Sequence, residues 1–357
     1  MRVADARVAA VDWLRSQRGQ LDGLVGAYLG GSLAGLDGDA VVPDASDVDV
    51  MVVLTDPPPA KLGKFRHQGA LLEVTYVDSI AVSDPETVLA DYHLAGPFRY
   101  PSAILLDDQG ALRSVQAAVA AGFGHRRWAE RRARHAYDRA RNGLLQLDTA
   151  LDPPSLHLAW LFPTGVTTHV LLSAALRNPT IRLRYLRARE ALDAHGRGDA
   201  YPELLAQLGV EQLTQRQVRH HLHSMAKAFD AAAAVLSRPA STRSRGLPFT
   251  SDLTPAARPV AVDGAAELID RGDHREAMFW IAATFARCHW VFATDDPDLR
   301  PRHDGAFEAL RHDLGVGSPD AYRERAHETL GYLPTLWGLA EEILTSATTN
   351  PTVERGS

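Results

Sequence analysis

Residues 47–54 read Asp47-Val48-Asp49-Val50-Met51-Val52-Val53-Leu54 and are followed by Asp56-Pro57-Pro58-Pro59. The run is rich in β-branched side chains and the prolines stop it, which predicts a strand with acids at its start. Alternate side chains of a strand share a face, so Asp47 and Asp49 project together while Val48 and Val50 turn into a core. Two carboxylates this close repel one another unless a cation lies between them. The pair is therefore a pincer for a hard divalent ion, and Mg2+ is its natural occupant.

Upstream, residues 24–36 (LVGAYLGGSLAGL) form a short apolar run that breaks at Gly30-Gly31-Ser32, predicting a strand that enters a tight turn ahead of a helix start. Such a turn lets backbone N–H groups and the Ser32 hydroxyl approach a triphosphate. Downstream, residues 71–78 (LLEVTYVD) are predicted as a second strand, with Glu73, Thr75 and Val77 on one face and Leu72, Val74 and Tyr76 on the other. Glu73 can then reach the face of Asp47 and Asp49. Three carboxylates around one or two metal ions suit an in-line displacement at phosphorus, with Glu73 either as a metal neighbour or, as we favour, as the base that takes a proton from an attacking hydroxyl. A short strand and turn is expected over 103–112.

At 357 residues the chain suggests two domains. From about residue 113 the character changes to alanine-, leucine- and arginine-rich segments of helical period, with helices expected around 114–149, 165–177, 180–195, 212–237, 264–293 and 320–345. A Pro-, Ser- and Arg-rich stretch over 238–262 is expected to be a long loop with little core-forming material. The expected organisation is an α+β chain: a catalytic domain over 1–113 with a small mixed sheet flanked by helices, an all-helical domain over 114–348 that binds acceptor and closes the cleft, and a disordered tail over 349–357.

The hydrophobic fraction of 45%, charged fraction of 23% and negative mean hydropathy belong to a folded globular protein. A net charge of −6 disfavours a protein devoted to nucleic acid. The N-terminal segment, with Arg2, Asp5, Arg7 and Asp12, reads as an amphipathic helix rather than a secretory signal, and no run is long and apolar enough for a membrane span. The single cysteine, Cys288, rules out an intrachain disulfide and fits a reducing cytoplasm.

Taken in order, LGGS, then DVDV, then LEVTYV resembles the nucleotidyltransferase superfamily of DNA polymerase β type. The wording SDVDV with LEVTYV is most similar to bacterial aminoglycoside adenylyltransferases of the streptomycin/spectinomycin type, which pair a small catalytic domain with an all-helical one. The resemblance covers roughly a fifth of the chain. It implies Gly30, Gly31 and Ser32 on the nucleotide phosphates, Asp47 and Asp49 on Mg2+, and Glu73 as metal neighbour or catalytic base. The implied activity is transfer of AMP from ATP to a hydroxyl of a small acceptor, for which an aminoglycoside is one candidate, with release of pyrophosphate. The gap from Ser32 to Asp47 and the helical part are both larger than in the compact form of these enzymes, which bears on the acceptor more than on the chemistry. Transfer onto RNA or protein, or a non-catalytic nucleotide-binding or antitoxin-like module, are the alternatives, and the oligomeric state is not indicated.

Other candidates carry less. Lys227, one of three lysines among 38 Lys and Arg residues, lies on a predicted helix and could reach a triphosphate across a cleft as a point charge. His220, His221 and His223 read as a solvated helix face rather than a metal site. The basic run 125–141 reads as a charge-laced exposed helix, and Arg182, Arg184, Arg187 and Arg189 offer some side chains that could face phosphate.

Overall fold

A computed structural model describes residues 1–238, 247 and 249–349. The protein is α+β, with one mixed five-stranded sheet and twelve α-helices among the described residues, most of the chain being helical. Residues 350–357 of the expected tail and part of the expected 238–262 loop lie outside the described residues, and Thr349, expected to begin the tail, ends the last helix.

The first helix, α1 (Val3–Gln17), places Val3, Ala6, Ala10, Trp13 and Leu14 on one buried stripe, the spacing of an amphipathic helix. Strands β1 (Leu24–Leu29), β2 (Val48–Leu54), β3 (Gly63–His67), β4 (Ala70–Asp78) and β5 (Ile104–Leu106) lie in the order β3-β4-β2-β1-β5. Only the β2–β4 pair is parallel; the other pairs are antiparallel. Alternation sorts the side chains onto two faces. Val48, Val50, Val52, Leu72 and Val74 pack with α1, whereas Val53 and Val77 pack on the opposite face against α2 (Pro85–Ala90) and α3 (Ala111–Gly122).

The helical part comprises α4 (Arg126–Leu145), α5 (Pro153–Ala174), α6 (Arg184–Ala194), α7 (Tyr201–Leu208), α8 (Gln215–Leu236), α9 (Gly264–Asp270), α10 (His274–Asp295), α11 (Arg300–Asp313) and α12 (Pro319–Thr349). Its centre is α5 and α10, which are apolar on nearly all sides and buried accordingly. The expected 114–149 helix is broken at Gly124, and the 264–293 helix is broken around Gly272, which has φ +91°. Neither α7 nor α11 was expected. No described helix is long and apolar enough to cross a membrane.

Two expectations are corrected. Residues 249–262 are not a featureless loop: short 3-10 turns at Thr250–Leu253 and Pro255–Ala257 bury Phe249, Leu253, Ala257 and Ala261. The segment after Gly31 is a single 3-10 turn, Ser32–Gly35, and not a helix start, so it brings no helix dipole to the turn. Strand β3 was not expected at all, because its Lys64, Arg66 and His67 mask the apolar alternation.

Candidate functional site

Register builds the site. Asp49 on β2 pairs with Glu73 on the parallel β4, and Glu73 in turn pairs with Lys64 on the antiparallel β3. Paired residues of adjacent strands project to the same face, so these three side chains form a row across the sheet. Asp47, one residue before β2, joins them by the period of two. Asp47, Asp49 and Glu73 each offer a carboxylate oxygen, and these oxygens lie within 4.8 Å of one another. The sequence-predicted carboxylates are thus brought together.

Two unexpected lysines complete the row. The Lys64 ammonium, on a side chain only 4% exposed, donates to Glu73 Oε2 at 2.6 Å and lies 3.1 Å from Asp47 Oδ2. Lys61 also pairs with Glu73. Both lysines reach a fourth carboxylate, Asp252, with Lys64 Nζ 2.6 Å and Lys61 Nζ 3.5 Å from its Oδ1. Asp252 belongs to the Thr250–Leu253 turn and is itself held by Arg287 of α10 at 3.1 Å. Gly63 makes this approach feasible: its φ is +87°, and a Cβ there would stand 2.0 Å from the Cβ of Ser251, so the turn lies flush against the start of β3.

Burial and like charges push the Asp49 carboxyl well above its usual range, with Asp47 and Glu73 as the charges responsible. Burial also raises Glu73, against the opposing pull of Lys64. Burial acts in the same sense on Asp252, but Lys64, Arg287 and Lys61 outweigh it and hold that carboxyl low. Lys64 is the mirror case: burial disfavours its charge, and Asp252, Asp47 and Glu73 more than restore it. The donors are oxygens alone, which suits a hard divalent cation such as Mg2+. A group that disfavours its own third negative charge also fits such an ion.

No family model and no curated protein matches the chain. The geometry of the site therefore carries the functional reading.

The turn at Gly30-Gly31-Ser32 abuts the carboxylates. The Gly30 N–H donates to the Asp49 carbonyl at 2.9 Å, and Ser32 is exposed beside it. Lys227 is exposed on α8, where its charge acts on His303 of α11, and among the described residues no ion pair or hydrogen bond joins it to the carboxylates. The lysines that do reach the carboxylates are Lys61 and Lys64, and the rarity of lysine in this arginine-rich chain is the signal that could have found them.

Arg182 bridges the two parts of the molecule, donating to the carbonyls of Ala45 and Gly264, and Asp47 is the charge that acts on it most strongly. The other arginines singled out are structural. Arg184 is buried and lies over the Phe279 ring, Arg187 pairs with Glu190, and Arg189 pairs with Asp273 and Glu276. On α4, Arg132 is buried and donates to the carbonyls of Leu89 and Phe123, and Arg134 stacks on Trp337, so this helix is not simply a solvated face. Of the histidine cluster, His221 is buried against Asp313 at 2.9 Å while His220 and His223 are exposed.

Proposed function

We propose that the protein is a metal-dependent nucleotidyltransferase that moves a nucleoside monophosphate from a triphosphate, ATP in the first instance, to a hydroxyl of a small acceptor. The observation that carries this reading is the convergence of Asp47, Asp49 and Glu73 from two adjacent parallel strands, oxygens within 4.8 Å, beside a glycine turn. A divalent cation bound there would supply charge neutralisation for the phosphates and for the departing pyrophosphate.

The remaining roles fall to the chain itself. Asp47 and Asp49 would hold the metal, and the N–H groups of the Gly30–Ser32 turn and the Ser32 hydroxyl would orient the phosphates. Glu73, with its raised carboxyl, is suited to accept the acceptor's proton as the hydroxyl oxygen bonds to the α-phosphorus and the bond to the pyrophosphate oxygen breaks. The near side of the helical part, with Arg182 and the Thr250–Leu253 turn, would bound the acceptor's approach. Aminoglycosides are the first acceptors to try, on the strength of the sequence resemblance.

The test is pyrophosphate release from ATP and Mg2+ across aminoglycosides, other small hydroxyl compounds, total RNA and no acceptor, for wild type and Asp49→Asn. Release that needs one small acceptor and Asp49 supports the reading. Release that needs RNA moves the acceptor to a macromolecule, and no Asp49-dependent release with any triphosphate or acceptor overturns transfer.

A further inference from the structure

Four carboxylates, Asp47, Asp49, Glu73 and Asp252, share one cluster with three cations, Lys61, Lys64 and Arg287. The cluster is close to charge balance without any ion. Lys64 reaches Asp47 and Glu73, two of the three proposed metal ligands, through one ammonium. A divalent ion entering alone meets an occupied site and a fixed positive charge, and their repulsion in a half-buried setting is strong.

We propose that Lys64 is the resident counter-cation of the triad and that Asp252, on the helical part, is the positioning residue that takes it over when metal enters with the nucleotide. The inference rests on the transferase reading for the identity of the nucleotide. A triphosphate brings the negative charge that offsets the metal's beside the ammonium held by Asp252, whereas the metal by itself brings none. Asp252 is suited to retain Lys64 because Arg287 fixes it from behind, and Arg287 is in turn held among the Phe162, Phe249 and Trp280 rings. The site so arranged holds free divalent ion weakly and the metal–nucleotide complex more tightly.

The experiment is Mn2+ binding to the full chain without nucleotide, followed by calorimetry or by the loss of the free-ion paramagnetic signal, with circular dichroism to check folding. Lys64→Met removes the competing charge, and binding should tighten about tenfold or more. Asp252→Asn leaves the ammonium wholly to Asp47 and Glu73, and binding should weaken below wild type. A purely structural role predicts no such opposite signs. Should Lys64→Met fail to fold, Lys61→Met, at a more exposed position on Glu73 and Asp252, should tighten binding in the same direction.

Mn2+ binding that is unchanged or weaker in the folded lysine variants overturns the inference even if transfer is intact. Opposite shifts in Lys64→Met and Asp252→Asn, abolished by adding Asp49→Asn, support it even where no acceptor is ever adenylylated, so the two readings fail separately.

Discussion

A Cβ on Gly31 would stand 1.9 Å from Oδ2 of Asp49, and Gly31 has φ +56°. The turn that is proposed to receive phosphate and the carboxylate proposed to receive metal are therefore in van der Waals register, and only a residue without a side chain leaves both in place. Gly31→Ala should cost about 1–3 kcal/mol of stability from the backbone conformation and the clash. Urea denaturation measures that. The same variant should bind Mn2+ together with ATP more weakly than wild type, because the Asp49 carboxylate must move; unaltered binding would detach the turn from the metal site.

Glu73 has two candidate roles that one variant separates. If it is the base, Glu73→Gln should lower kcat by about 10²–10⁴-fold while Mn2+ affinity stays within about tenfold of wild type. Loss of Mn2+ binding in parallel with kcat would make it a ligand instead.

Asp49→Asn should leave stability unchanged or slightly higher. Burial and the neighbouring charges of Asp47 and Glu73 already disfavour its ionised form, so a neutral isostere relieves repulsion. Thermal or urea unfolding without metal reads this out, and a marked loss of stability would show the carboxylate to be structural.

The buried histidines predict the acid limb of stability. His93 is pushed down to about 4 and His157 and His289 to about 3, in each case chiefly by burial. The folded pKa lies below the unfolded one, so the unfolded chain binds protons first as pH falls. Their contribution is whole above the ordinary imidazole value and is lost as pH drops from about 6.5 towards 4 for His93 and towards 3 for His157 and His289. The urea midpoint should fall over that interval, and the slope should flatten in His157→Asn. His157 is the best single probe because its Nδ1 is 2.7 Å from the Tyr322 hydroxyl in a sealed core.

Cys288 is fully buried on α10, and burial pushes its thiol well up. A thiol reagent at neutral pH should leave the native protein untouched and modify one equivalent after denaturation. Rapid labelling of the native protein would show that α10 opens to solvent.

Much of the sheet-bearing part was legible because strands there are local and mostly apolar. DVDVMVVL puts Asp47 and Asp49 on one face, and LLEVTYVD sets Glu73 on the face opposite Leu72 and Val74, each by the two-residue period of its own strand. Strand β3 is hidden because a short edge strand can be polar, so Lys64 escapes the pattern while Lys227, on a clearly periodic helix, does not. In the helical part, period and Pro/Gly breaks indicated most helices but misplaced their ends, since capping at positions such as Thr214 and breaks such as that at Gly124 depend on a few residues.

By itself the sequence determined the two-residue spacing of the acids, the glycine turn before them and the helical character of the C-terminal two thirds, all properties of neighbours along the chain. Only the tertiary structure decided that Glu73 lies opposite Asp49, that Lys64 lies opposite Glu73, and that Asp252, 188 residues from Lys64, closes the cluster. Strand register and the docking of a remote turn against Gly63 are set by packing between elements, which no local pattern of residues records.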